Sequence, residues 1–181
     1  NFYRYKYVIG RLYSRVVNPK DFSGFLEWLE TRLWKNQTEV TDEEFNKVCM
    51  DFYKDKTLKR IQQFYELTGI TDEPLIINGE SVPKLSEVLS QIDFNWLAKG
   101  QQVKIHGDLV LDNIIKTLDS YVLLDWRQDF GGLLTSGDLY YDLAKLNHNL
   151  TLSHDVIFEN QFKVKVRGTN ISCYICVSEN L

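Results

Sequence analysis

Three features of this 181-residue chain predict an α+β fold. Apolar residues recur at helical spacing through most of the first hundred residues. Paired short runs of strand-forming residues follow, around 113–124 and 162–177. Gly, Asn and Pro mark the boundaries between them. The expectation is a mostly helical body carrying short β-hairpins. The chain is 44% hydrophobic, with ten Phe, ten Tyr and four Trp, which is enough to build a substantial core. The length suits one domain, or one large lobe of a two-lobed protein.

Composition also narrows the function classes. Twenty-one basic against 25 acidic residues give a net charge of −4, whereas a general nucleic-acid binder usually shows a basic excess. No apolar run approaches the ~18–20 residues of a membrane span, so no membrane span is expected. The opening Asn1-Phe2-Tyr3-Arg4-Tyr5-Lys6 lacks the apolar region of a signal peptide. Cys49, Cys173 and Cys176 do not make a disulfide framework, and a reducing cytoplasm is the expected location. Cys173 and Cys176 fall on a predicted strand, where residues three apart face opposite sides. They read as ordinary strand cysteines rather than a metal or redox pair.

Taken in order, residues 2–9 read as a strand or extended linker ending at Gly10. Asn18-Pro19 caps a helix whose apolar stripe is Phe22, Phe25, Leu26, Leu29 and Leu33. Thr41-Asp42-Glu43-Glu44 is a capping box opening a longer helix, with Phe45, Val48, Cys49, Phe52, Leu58, Ile61 and Tyr65 on one stripe and Gly69 at its end. The basic Lys54–Arg60 stretch reads as the solvated face of that helix. Asp72 to Pro83 reads as a loop or short extended region. A third amphipathic helix carries Leu85, Val88, Leu89 and Ile92, and Trp96-Leu97 closes at Gly100. A short strand through Val103 and Ile105 then leads into His106. Residues 113–116 and 121–124 form a hairpin, a helix starts at Asp138 as its cap, and 162–166 pairs with 171–177.

Chemistry concentrates after Gly100. His106-Gly107-Asp108 offers a carboxylate, Asn113 follows five residues later, and Leu124-Asp125-Trp126 offers a second carboxylate after the hairpin. The hairpin brings Asn113 and Asp125 together. A carboxylate beside an attacking hydroxyl and two oxygen ligands for magnesium are what phosphoryl transfer from a metal-bound nucleotide needs.

These residues resemble the catalytic loop of the aminoglycoside phosphotransferase and choline kinase family, small-molecule relatives of protein kinases. Leu124-Asp125-Trp126 is similar to the family's metal-binding segment, and Gly137-Asp138-Leu139-Tyr140-Tyr141-Asp142-Leu143-Ala144 resembles its GDxxYDLA helix start. The resemblance implies the mostly helical C-lobe of a protein-kinase-like fold, with the hairpins carrying the catalytic and metal-binding loops. It implies that Asp108 is the base, that Asn113 and Asp125 hold magnesium and the phosphates of ATP or GTP, that His106 holds the loop in shape, and that Asp138 supports His106 as its partner. The acceptor is then a hydroxyl on a small molecule, a choline-like amino alcohol or a sugar.

Arg127 and Asp129 either shape the acceptor pocket or pair on the surface. Trp126, Tyr140 and Tyr141 either cage a quaternary ammonium or, more simply, pack in the core. No stretch before His106 offers the phosphate-covering loop and strand lysine of a nucleotide-clamping lobe. Residues 1–10 therefore read as a hinge, 11–181 as a C-terminal lobe, and the chain as a piece of a longer kinase, inactive alone. A protein kinase is disfavoured, because no lysine lies between Asp108 and Asn113 and no APE-like segment follows. The alternative is a catalytically inactive kinase-like binding module.

Overall fold

The structure is a computed structural model that describes residues 7–152 and 154–175. In chain order its elements are β1 (Arg11–Leu12), α1 (Pro19–Arg32), α2 (Asp42–Met50), α3 (Lys56–Thr68), β2 (Leu75–Ile77), β3 (Glu80–Val82), α4 (Leu85–Ser90), α5 (Phe94–Leu97), β4 (Gln102–Val103), β5 (Ile114–Lys116), β6 (Tyr121–Leu123), β7 (Gly137–Asp138), α6 (Leu139–Thr151), α7 (His154–Phe158), β8 (Phe162–Arg167) and β9 (Asn170–Ile175). The described residues fall into two compact units, one of 7–42 and 100–150, the other of 43–99, 151–152 and 154–175. Of the expected hinge, residues 1–6 lie outside the described residues. Residues 7–10 belong to no strand, and the first ladder begins at Arg11.

In the first unit, α1 starts where Asn18 predicts. The Asn18 side chain accepts the Asp21 N–H at 3.1 Å, and Pro19 takes the first helical position. Phe25, Leu29 and Leu33 of the expected stripe are buried, with Phe22 and Leu26 packed beside them. This stripe meets β5 and β6, which pair antiparallel as the predicted hairpin, Ile114 opposite Leu123 and Lys116 opposite Tyr121. Phe25 and Tyr121 lie 4.7 Å apart between ring centroids, and Tyr13 meets both edge-on. Such aromatic pairs contribute about 0.5–1.5 kcal/mol each beyond their burial. β1 pairs with β5 to complete a sheet ordered β1-β5-β6, and an ion pair between Lys116 and Asp21 ties that sheet to α1. The strand expected through Val103 and Ile105 is shorter than predicted. It ends at Val103, which pairs with Gly137 of β7.

In the second unit the long helix announced by the capping box is continuous from Asp42 to Thr68, with a π-helical turn over Asp51–Asp55. Gly69 ends it in the left-handed conformation at φ 67°, its N–H on the carbonyl of Tyr65. Phe45, Cys49 and Phe52 are buried, whereas no residue of α3 is. A π turn shifts the register of a helix face, so the stripe drawn at even spacing from Phe45 to Tyr65 does not stay on one buried side. Of the basic stretch, Lys54, Lys59 and Arg60 are exposed.

The region from Asp72 to Pro83 is more ordered than expected. β2 and β3 form a tight hairpin around Asn78 (φ 53°) and Gly79 (φ 89°), the pair of left-handed residues that a two-residue hairpin turn requires. β2 also pairs in parallel with β9, giving a sheet ordered β3-β2-β9-β8. The Asn78 amide locks that junction, donating to the carbonyl of Cys173 at 2.8 Å and accepting its N–H at 2.7 Å. β8 and β9 form the second expected hairpin. Cys176 and Val177 lie outside the described residues. Among those described, no helix is long and apolar enough to cross a membrane.

Candidate active site

The His106 loop and the segment after β6 are laced together by main-chain bonds. Leu124 N–H donates to the carbonyl of Asn113 at 2.8 Å, and Arg127 N–H to that of His106 at 3.0 Å. The first of these bonds continues the β5–β6 ladder by one rung, so Asn113 and Leu124 face each other and Asp125 follows at once. Asp125 is exposed and left-handed, at φ 54°, a conformation that aspartate tolerates better than bulkier residues. The structure thus places Asn113 and Asp125 at the same end of the hairpin, with Asp108 bonded to Asn113.

Gly107 permits this lacing. It is left-handed at φ 81°, and a Cβ there would sit 2.5 Å from the Cβ of Arg127. Any larger residue would have to push the 124–127 segment off the loop.

His106 is fully buried. Its Nδ1 accepts the Asp108 N–H at 3.2 Å, and its Nε2 lies 2.7 Å from the carbonyl of Leu124, to which a protonated Nε2 donates. Burial pushes the imidazole below its ordinary value, against the opposing pull of the Leu124 carbonyl and the nearby carboxylates. Both nitrogens of the neutral ring are therefore taken up by main chain.

Asn113 Nδ2 donates to the Asp108 carbonyl at 2.9 Å and reaches the Asp108 carboxylate at 3.3 Å. That fixes the amide so that its oxygen is the arm turned away from Asp108. The other carboxylate oxygen of Asp108 is paired with Lys145 Nζ at 2.7 Å. Partial burial pushes the Asp108 carboxyl up, but the bond and charge of Lys145, with the Asn113 bond, outweigh it and hold the group below the usual carboxylate range.

Lys145 belongs to α6, and one face of that helix grips the loop. Asp142, fully buried, accepts His106 N–H and Gly107 N–H at 2.8 Å each, together with Trp34 Nε1 at 3.1 Å. Burial pushes its carboxyl up, and the three N–H donors pull it back towards the charged form. Asn149 Oδ1 accepts Leu111 N–H at 2.7 Å. Asp142, Lys145 and Asn149 stand three and four residues apart, the spacing of a single helix face.

Asp138 sits at the start of the same helix. Its carboxylate accepts Tyr140 N–H at 3.2 Å and Gln101 N–H at 2.9 Å, closely packed under Gly100. The carboxylate bonded to the backbone of His106 and Gly107 is that of Asp142. Neither Asp142 nor Lys145 was singled out from the sequence. The available signal was that Asp142 and Asn149 interrupt the apolar stripe of α6 on the side of buried Leu146, and polar residues in a buried stripe usually bond to something specific.

Beside the loop lies a cavity of about 400 Å³ lined by Lys104, His106, Trp126, Arg127, Phe130 and Ser136, among others. Lys104 Nζ lies 5.5 Å from the centre of the Trp126 ring, and the Arg127 guanidinium 5.7 Å from that of Tyr141. Arg127 Nε also donates to the carbonyl of Asp129 at 2.7 Å. One wall is held by Glu39, whose carboxylate takes the N–H groups of Leu134 and Thr135 and the hydroxyls of Thr135 and Ser136 at 2.8–3.0 Å. Desolvation works against ionisation of Glu39, but those bonds prevail and bring its carboxyl down to about 2. No group of three or more His, Cys, Asp and Glu able to hold a metal ion occurs among the described residues.

The loop that α6 clamps thus carries a carboxylate bonded to an amide, Asp108 and Asn113, and a second carboxylate, Asp125, follows the hairpin that begins there. A family model described as the phosphotransferase enzyme family matches residues 50–159, more than half of the chain. The chain belongs to this family, the aminoglycoside phosphotransferase and choline kinase group, and its α+β architecture with short sheets is that of the family's helical lobe. Searches among curated proteins and among solved structures gave no match.

Proposed function

We propose that this phosphotransferase moves the γ-phosphoryl group of ATP or GTP to a hydroxyl of a small molecule, with Asp108 receiving the hydroxyl's proton. The observation that carries this reading is the bond of Asn113 to Asp108, with Asp125 at the same end of the β5–β6 hairpin as Asn113. The residues present fit a magnesium-bound nucleotide. The Asn113 oxygen is turned away from Asp108 by the bonds of its nitrogen, Asp125 is an exposed carboxylate at the same hairpin end, and hard oxygen donors of this kind suit magnesium. Magnesium, when bound, supplies charge that neutralises the phosphates. Asp108 is held ionised and orients the acceptor hydroxyl, and the neutral His106 ring keeps the loop in shape rather than moving protons.

The cavity beside Arg127 supports a hydroxyl-rich, sugar-like acceptor over a choline-like amino alcohol. The rings of Trp126 and Tyr141, which a quaternary ammonium would need, already face Lys104 and Arg127. In the full-length protein, Asp108→Ala is expected to lower turnover by about 10²–10⁴-fold while magnesium-dependent nucleotide binding persists. Nucleotide consumption over a panel of sugars and amino alcohols measures the first, and a thermal-shift titration the second. Undiminished turnover would remove Asp108 from its role. A wild-type protein that shows no magnesium-dependent shift would favour the inactive binding module.

A further inference from the structure

The ion pair between Lys145 and Asp108 is at odds with a simple view of the base. A cation 2.7 Å from a carboxylate oxygen stabilises the charged form and weakens its appetite for a proton. If Lys145 did nothing else, it would oppose the role given to Asp108. The pair is open to solvent, with the Lys145 side chain 29% and that of Asp108 46% exposed, but the lysine projects from a helix face fixed to the same loop on either side, by Asp142 three residues before it and by Asn149 four residues after it.

We propose that Lys145 is a catalytic residue, its ammonium resting on Asp108 in the free protein and meeting the non-bridging oxygens of the transferred phosphoryl group during the reaction. This inference rests on the phosphotransferase reading above. An acceptor hydroxyl must come within hydrogen-bond reach of Asp108, and the phosphorus it attacks lies about 3 Å beyond. Lys145 Nζ already occupies a position one hydrogen bond from Asp108, so it shares that carboxylate with the incoming hydroxyl.

The transferred group carries its negative charge on three oxygens, and fixed positive charge aimed there is the main protein contribution to such reactions. The sequence from Asp108 to Asn113 contains no lysine, so α6 delivers this cation from outside the loop. In the step itself, a lone pair of the acceptor oxygen forms the new bond to the γ-phosphorus. The bond from that phosphorus to the oxygen bridging the β-phosphate breaks, and its electron pair leaves on the nucleoside diphosphate. The hydroxyl proton passes to Asp108, and Lys145 keeps its three protons throughout.

The test needs no knowledge of the acceptor. Magnesium and ADP (or GDP, whichever binds) are titrated into the full-length protein with and without aluminium fluoride, which stands in for the phosphoryl group in flight. Wild type is expected to bind the diphosphate more tightly when aluminium fluoride is present. Lys145→Met should lose about 10²-fold of that tightening while binding magnesium and diphosphate alone as wild type does, and Lys145→Arg should keep most of it. If the Met variant melts early, Lys145→Gln, which retains a hydrogen bond to Asp108 without the charge, takes its place. Equal tightening in wild type and the uncharged variants would overturn the proposal, as would a wild type that binds the magnesium diphosphate but gains nothing from aluminium fluoride. A parallel loss of diphosphate affinity and melting temperature would also overturn it, by marking Lys145 as a structural tie. A wild type that binds no magnesium nucleotide at all would instead sink the phosphotransferase reading itself.

Discussion

Asp142 illustrates how much of a reactive loop's shape rests on a residue that touches no substrate. Its two oxygens receive three N–H groups, from His106, Gly107 and Trp34, in a place where water cannot replace them. Asp142→Ala therefore leaves buried donors without an acceptor, at about 1–3 kcal/mol for each. A loss of roughly 3 kcal/mol or more is expected, read as a lower urea midpoint at unchanged slope, and turnover should fall with it as Asp108 loses its position. The GDxxYDLA pattern displays both Asp138 and Asp142, yet sequence reasoning chose Asp138 as the support of His106. An aspartate one turn into a helix reads as solvated surface unless the buried side of that helix is known. That side is set by tertiary docking, which the sequence does not display locally. Lys145 escaped notice for the same reason, whereas the nearness of Asp108 to Asn113 and the shared hairpin end of Asn113 and Asp125 were legible because a loop and a hairpin set them over a short stretch.

Elements were legible where local chemistry decides them. α1 has its Asn-Pro start and its Phe25–Leu29–Leu33 stripe, and the β5–β6 hairpin has its two β-rich runs. The Asn78-Gly79 hairpin read as a loop or short extended region although its turn signal was present, because its strands are as short as β5 and β6 and Glu80-Ser81 brings no strand-forming residues. Its pairing to β9 joins Ile76 to Asn170, a separation over which no periodicity carries information. The strap over 134–136 is another element held from afar, by Glu39. The Glu39 carboxyl is depressed from its ordinary 4.5 to about 2, so its contribution to holding the strap is complete above pH 4.5 and is lost as pH falls from there towards 2. The amides of Leu134 and Thr135 should lose hydrogen-exchange protection over that window, and in Glu39→Gln the same amides should show little dependence on pH within it.

At the scale of the molecule, the unit that holds the site is assembled from two separate stretches, 7–42 and 100–150 of the described residues. The sequence showed a helical first part and a chemistry-bearing second part, but not that α1 and β1 belong with the second. Contacts between stretches so far apart have to overcome a larger loop-closure entropy than local ones. The grip of α6 on residues 106, 107 and 111 has a consequence for how this unit opens. Because the amide hydrogens of His106, Gly107 and Leu111 end on side chains of α6, deuterium reaches them only when the helix itself lets go. The loop and α6 then form a single cooperative opening unit. Those three loop amides should share one opening free energy, and one denaturant slope, with the interior amides of α6, while the amides of the 117–120 turn exchange far sooner.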